Sequence, residues 1–118
     1  MQDKLLISVK IKKTIEYVIK AVDNYPHNYV ILKNNIINSF YTLLELSYKA
    51  CLYKDTLYMK EILIKIKMIE YYIKISCDNK LISFKKFENI GKYLLEINKM
   101  VNVWVKNETS RKSISSNN

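Results

Sequence analysis

The sequence predicts an all-α protein, an antiparallel up-down-up-down four-helix bundle. The chain of 118 residues contains one Gly and one Pro, so β-turns are scarce and long helices are favoured. Its many Ile and Tyr residues suit strands by propensity, but they recur at intervals of three and four residues, which is the helical period. Hydrophobic residues make up 49% of the chain, which is typical of a folded domain and not of a disordered one.

The first helix is predicted over residues 4–23. Its apolar residues fall on one face, as expected for a helix that packs against a core: Ile7, Ile11, Ile15, Val18, Ala21 and Val22. Pro26 disfavours helix in the residue before it, so the helix ends near Asn24. Asn28 is then expected to cap the second helix.

The second helix is predicted over residues 29–53. Its core face consists of Leu32, Ile36, Phe40, Leu43, Ser47, Ala50 and Cys51. A flanking apolar band consists of Val30, Ile37, Tyr41, Leu44, Tyr48 and Leu52. Because the two together exceed half the circumference, we expect this helix to be buried on more than one side.

The third helix, capped by Asp55 and ending near Asn79, carries two apolar faces. The core face consists of Tyr58, Met59, Ile62, Ile66, Ile69, Ile73 and Cys77. The second face, here called the α3 stripe, consists of Leu57, Ile64, Met68, Tyr71 and Ile75. A helix in a monomeric bundle needs only one such face, so the α3 stripe predicts an oligomer interface. The alternative is a helix buried within the monomer. Asn79 is expected to adopt the left-handed conformation at the C-terminus.

The fourth helix is predicted over residues 84–107, with Ser83 as its N-cap. Its core face consists of Phe87, Ile90, Gly91, Leu94, Ile97, Val101, Trp104 and Val105. Gly91 costs about 1 kcal/mol against Ala inside a helix, so we expect it to permit close approach of a neighbouring helix. The bundle is therefore assigned to residues 1–107, and the polar residues 108–118 to a disordered tail.

The net charge of +9 favours an anionic partner, either nucleic acid or an anionic membrane surface. Lysines recur every seven residues on the third helix and again on the fourth. The candidate nucleic-acid-binding residues are Lys60, Lys67, Lys74, Lys85, Lys92 and Lys99. The plain alternative is that these lysines are only the solvated faces of surface helices.

No set of residues predicts catalysis, a metal site or a cofactor. His27 is the only His, and the Glu residues lack the Glu-x-x-His pattern of a di-iron bundle. Cys51 and Cys77 have no CxxC spacing, so we expect buried free thiols in a reducing compartment. No apolar run is long enough for a signal peptide or a membrane span, so the protein is predicted to be cytoplasmic, with no membrane and no small-molecule substrate as partner.

Several short motifs resemble those of the accessory variability determinant (Avd) proteins of diversity-generating retroelements. These motifs are Tyr25-Pro26 after helix 1, Leu43-Leu44-Glu45-Leu46 in helix 2, Leu81-Ile82-Ser83 before helix 4, and residues 96–106, EINKMVNVWVK, which are the most specific match. The resemblance covers residues 4–106. The wider bacterial four-helix-bundle group also includes proteins encoded in intervening sequences of 23S rRNA genes.

The resemblance implies a non-catalytic accessory subunit that forms a homopentameric ring. Such a subunit binds RNA or DNA through a basic surface and binds the retroelement reverse transcriptase, supporting mutagenic cDNA synthesis. The alternative is an oligomeric interaction protein of the 23S rRNA intervening-sequence type, with no reverse-transcriptase partner.

Overall fold

The computed structural model describes the backbone of residues 2–117 and the side chains of residues 6–112. Within that range the chain is all-α, with four long helices and no strand. The helices are α1 (Gln2–Val22), α2 (Val30–Tyr53), α3 (Thr56–Asp78) and α4 (Phe84–Asn117). A short 3₁₀ turn, His27–Tyr29, precedes α2. The predicted all-α class and the existence of all four helices are confirmed.

Each helix packs against two others. The pairs in contact are α1 with α2, α2 with α3, α3 with α4, and α4 with α1, and the described residues show no packing across either diagonal. The helices therefore stand at the four corners of a square bundle. Each connection between them is only two to seven residues long by the bounds above.

The core faces are those expected from the helical period. The predicted faces of α1 and α3 supply the centre, with Ile11, Met59, Ile62 and Ile69 fully buried. From α2 and α4 the deepest residues are Ile36, Leu43, Ile90, Ile97 and Val101. Burial of these side chains, each worth about 1.5–3 kcal/mol, is the main term that holds the helices together.

Several polar contacts between helices join residues that are far apart in the chain. The Ser8 and Ser47 hydroxyls lie 3.1 Å apart, joining the first half of α1 to the second half of α2. The Tyr29 hydroxyl, just before α2, donates to Asn79 Oδ1 at the end of α3 over 3.5 Å. Lys10 of α1 forms an ion pair with Glu96 of α4.

The predicted caps are confirmed for two helices and wrong for one. Asp55 accepts a hydrogen bond from the Leu57 amide at 2.9 Å, and Ser83 accepts one from the Lys86 amide at 3.1 Å. Asn28 does not cap α2, because it lies inside the 3₁₀ turn and Tyr29 occupies the cap position without a side-chain bond.

The residue with the left-handed conformation at the C-terminus of α3 is also different from the one expected. Lys80, with φ of 58°, takes the left-handed conformation expected of Asn79. Asn79 instead has φ of −92°, and its side-chain amide donates to the Ile75 carbonyl at 2.8 Å. The backbone turn forms one residue later than expected, because the Lys80 and Leu81 amides donate to the Cys77 and Ser76 carbonyls at 3.0 and 2.9 Å.

Helix α4 is ten residues longer than predicted. The sequence predicts an end at Asn107 and a disordered tail from Glu108, whereas the backbone stays helical to Asn117. Glu108 is only 3% exposed, and its carboxylate lies 3.5 Å from the Arg111 guanidinium one turn on. Polar composition alone does not end a helix, and neither Gly nor Pro follows Gly91. Asn118 lies outside the described residues.

Candidate interaction surfaces

The α3 stripe is exposed in the single chain. Leu57, Ile64, Met68 and Tyr71 are 57%, 66%, 42% and 60% exposed, and Ile75 is half-buried. The opposite face of the same helix, from Met59 to Ile73, is almost completely buried. The alternative of a helix buried on both sides within the monomer is therefore wrong. An apolar row of this length on a surface is typical of a binding site for protein.

The outward face of α2 is also exposed, contrary to the prediction that this helix is buried on more than one side. Tyr41 and Tyr48 are about half exposed, and Leu52 is 74% exposed. Asn38, Thr42 and Glu45 line a shallow depression together with these two tyrosines. The wide apolar band of α2 thus exceeds what the core can cover.

The three candidate lysines of α3 are exposed, but they differ in their surroundings. Lys74 Nζ lies 3.2 Å from the Asp78 carboxylate in an exposed i,i+4 pair, which contributes little to stability. Lys67 lines a groove between α3 and α4 and shares it with Glu70. Two of the three ammonium groups therefore have an acidic neighbour on their own helix.

The groove between α3 and α4 has a volume of about 300 Å³. Ile66, Leu94 and Leu95 provide its apolar lining, and Gly91 forms part of its wall. The expectation that Gly91 permits close helix approach is wrong, since a Cβ placed on it would meet no atom within 4 Å. The glycine opens the groove instead of drawing a helix closer.

The candidate lysines of α4 form a second exposed row, with Glu88 and Glu96 three or four residues from them on the same helix. Lys85, Lys92 and Lys99 are all exposed, and within the described side chains none of them forms an ion pair. Their seven-residue spacing places them about 10.5 Å apart along the helix. Because α3 and α4 are neighbours, the two lysine rows lie on adjoining corners of the bundle.

A polar seam between α1 and α4 was not predicted. Lys10 pairs with Glu96, and its Nζ lies 5.0 Å from the centre of the Tyr93 ring. The Tyr93 ring packs at a tilt against the Tyr17 ring, with 5.5 Å between their centres. The Tyr17 hydroxyl accepts a hydrogen bond from the Asn89 side-chain amide at 3.0 Å. Lys10 and Tyr17 lie on one face of α1, and Asn89, Tyr93 and Glu96 lie on one face of α4. No local sequence pattern predicts that these two faces meet, because the paired residues are more than 70 positions apart.

Among the side chains for which a pKa is described, that of Tyr25 is clearly perturbed. Burial raises the pKa of the Tyr25 phenol above 10.0, and the nearby Ser76 hydroxyl partly offsets that rise. The Tyr25 hydroxyl has no partner within hydrogen-bond geometry, and the Ser76 hydroxyl donates its own proton to the Tyr72 carbonyl at 2.9 Å. Tyr25 lies at the base of the bundle and is structural in position.

Three further features of the described residues concern metal binding, disulfides and membrane crossing. No group of three or more His, Cys, Asp or Glu side chains there could hold a metal ion. Neither half-buried cysteine, Cys51 or Cys77, forms a disulfide. No helix in the described range has the length and apolar character needed to cross a membrane.

Comparison with known proteins gives one family. A family model described as bAvd-like matches residues 5–108, which include all four helices except the extreme ends of α1 and α4. A comparison with curated proteins gives no match.

Proposed function

Since the chain belongs to the bAvd-like family, we propose that it is a non-catalytic accessory subunit of a diversity-generating retroelement, acting in the cytoplasm. It binds the reverse transcriptase and nucleic acid, and so supports mutagenic cDNA synthesis. The observation that carries the proposal is the family match over residues 5–108, on a bundle that combines an exposed apolar stripe with two lysine rows.

An up-down-up-down arrangement of the helices is part of this proposal. The links between Ser8 and Ser47 and between Tyr29 and Asn79 join an early part of one helix to a late part of its neighbour. Along α1 and α4 the contacts run in opposite order, with Lys10 at Glu96 and the later Tyr17 at the earlier Asn89. Short loops between neighbouring helices support the same arrangement.

The protein forms a homo-oligomer, in line with the homopentameric ring that Avd proteins form. The exposed α3 stripe supports this, because Leu57, Ile64 and Tyr71 would lose most of their contact with water on association. Each such side chain can contribute about 1.5–3 kcal/mol when fully buried.

Nucleic acid binds to the basic surface formed by α3 and α4. The residues that carry it are Lys60, Lys67, Lys74, Lys85, Lys92 and Lys99. Repetition of these rows around an oligomer would build a broad positive surface, to which RNA or DNA is attracted without regard to sequence. Lysine ammonium groups act here as point charges and give less geometric selectivity than arginine.

Capture of the reverse transcriptase tests the central claim. Where a reverse-transcriptase gene lies beside the gene of this chain, the tagged chain is co-expressed with that enzyme, and cDNA synthesis from the template RNA is measured with and without the chain. The expected result is a stable complex and cDNA made only in its presence. Failure to bind the enzyme overturns this function and leaves the interaction protein of the 23S rRNA intervening-sequence type.

Salt titration tests nucleic-acid binding separately. Affinity for a single-stranded RNA is measured by fluorescence anisotropy between 50 and 200 mM salt. For about six phosphate contacts the affinity is expected to fall by about 10³-fold or more as counterions are released. Affinity that does not change with salt excludes binding through the lysine rows.

A further inference from the structure

We propose that the α3 stripe of one copy is covered by the outward face of α2 of the next copy. That face, here called the α2 stripe, consists of Asn34, Asn38, Tyr41, Glu45, Tyr48 and Leu52. All six side chains are exposed. The proposal rests on the homo-oligomer proposed above and names the two surfaces that would form it.

The two stripes match in period and in length. In the α2 stripe the residues recur at alternating intervals of four and three, and the α3 stripe follows the same seven-residue repeat from Leu57 to Ile75. Any single face of a helix has this spacing, so it is the equal length of the two stripes that favours their pairing. Each stripe spans 18 residue steps, or about 27 Å of helix at 1.5 Å per residue.

The charges of the two stripes are complementary. The α2 stripe contains one charged residue, Glu45, near its midpoint. The α3 stripe is flanked near its midpoint by Lys67. Because both charges lie at the centres, a full overlap of the stripes brings Glu45 close to Lys67 whether the helices run parallel or antiparallel. Charged residues beside an apolar seam commonly form such pairs between helices.

Glu45 is available for this role. Its carboxylate lies 4.0 Å from Lys49 of the same helix, with both side chains largely exposed. An exposed pair of this kind is worth at most about 1 kcal/mol. An antiparallel α3-on-α3 contact would instead place Lys67 against Lys67 of the other copy, which is unfavourable.

The positions of the stripes favour a ring over a dimer. Helices α2 and α3 are neighbouring corners of the bundle, so their outward faces are roughly 90° apart in a square arrangement. A contact between two different faces repeats around an axis and closes when the rotation fits, whereas an α3-on-α3 contact ends at two copies. The α2-on-α3 contact therefore permits a closed ring of more than two copies.

A mixing experiment distinguishes the two geometries. One variant, Ile64→Asp, blocks the α3 stripe, and a second, Tyr41→Asp, blocks the α2 stripe, since a buried aspartate too short to reach water is costly. Masses are measured by light scattering, and helix content by circular dichroism. The expected result is that each variant alone is a monomer, while an equal mixture gives a heterodimer through the one intact pair of faces.

The matched control is Val103→Asp, which alters an exposed apolar residue of α4 outside both stripes. It is expected to keep the mass of the wild-type oligomer. If Tyr41→Asp also keeps that mass, the α2 stripe is not the partner and the inference is overturned. A mixture that stays monomeric overturns it as well.

Charge exchange tests the central pair. Glu45→Lys and Lys67→Glu are each expected to weaken association at least tenfold, and the double variant to recover most of the loss. Two single losses without recovery in the double variant overturn the pairing of Glu45 with Lys67. If the wild-type protein is a monomer, both this inference and the proposed oligomer are overturned. Capture of the reverse transcriptase is measured separately, so failure of the interface and failure of the accessory function are distinguishable.

Discussion

The hydroxyl of Ser8 in α1 lies 3.1 Å from the hydroxyl of Ser47 in α2, inside the core. Ser47 donates its single proton to the Leu44 carbonyl at 2.7 Å, so Ser8 is the donor in the pair between helices. The two serines therefore form a directed chain, from Ser8 through Ser47 to the backbone of α2. Such a chain satisfies polar groups that burial would otherwise leave without a partner.

This direction predicts unequal effects of removing the two hydroxyls. Ser47→Ala leaves the buried Ser8 proton without an acceptor and is expected to cost about 1–3 kcal/mol in the free energy of unfolding. Ser8→Ala leaves Ser47 bonded to Leu44 and is expected to cost about 1 kcal/mol or less. Urea unfolding of both variants and of the double variant measures the difference; equal losses would contradict the assigned donor.

Tyr25 predicts a loss of stability at alkaline pH. Because its pKa is raised above 10.0 in the folded chain, the folded state keeps its proton at a pH where the unfolded state releases one. The contribution of protonated Tyr25 to the free energy of unfolding is therefore complete below about pH 10 and decreases as pH rises above that value. Tyr25→Phe is expected to flatten this decline and to change stability at pH 7 by less than about 1 kcal/mol.

Thermal unfolding from pH 8 to pH 11 measures the Tyr25 effect. Tyr71→Phe is the matched control, since this tyrosine is exposed and its loss should leave the alkaline decline unchanged. A decline identical in Tyr25→Phe and in the wild type would show that another group is responsible.

Gly91 predicts a stabilising substitution. A Cβ at this position meets no atom within 4 Å, and the residue lies within α4, so Gly91→Ala removes backbone freedom from the unfolded chain at no steric cost. The expected gain is roughly 0.5–1 kcal/mol, measured by urea unfolding at fixed protein concentration. A loss of stability would mean that a second molecule occupies the groove beside Gly91.

The two lysine rows predict different salt dependences. Among the described side chains, Lys85, Lys92 and Lys99 form no ion pair, whereas Lys74 of the α3 row is paired with Asp78. Alanine at the three α4 positions is expected to reduce the slope of log affinity against log salt by about 2–3. Alanine at the three α3 positions is expected to reduce this slope by less than the α4 variant does.

A third variant controls for net charge in this comparison. Alanine at Lys12, Lys13 and Lys20 of α1 also removes three positive charges, but from a different helix. If it reduces the slope as much as the α4 variant does, total charge and not the α4 row governs binding.

Local periodicity was enough to predict all four helices and most of the core. Ile11, Ile36, Ile66 and Ile97 are buried where the helical repeat places them, because the apolar face of a helix is written in residues three and four apart. The same repeat predicted that α3 carries a second apolar face. Termini were less predictable: Asn28 and Asn79 have suitable side chains for their expected roles, but neighbouring residues took the cap and the left-handed turn.

What the sequence determined by itself is the set of helices, their core faces, the net charge of +9 and the family motifs. Only the tertiary structure decided which surplus apolar residues stay exposed, so that Tyr41 and Tyr48 face outward although their helix looked buried on several sides. It also decided that Gly91 opens a groove and that Lys10 meets Glu96 and Tyr93. These features depend on distances between residues far apart in the chain, and a square bundle can cover only one face of each helix.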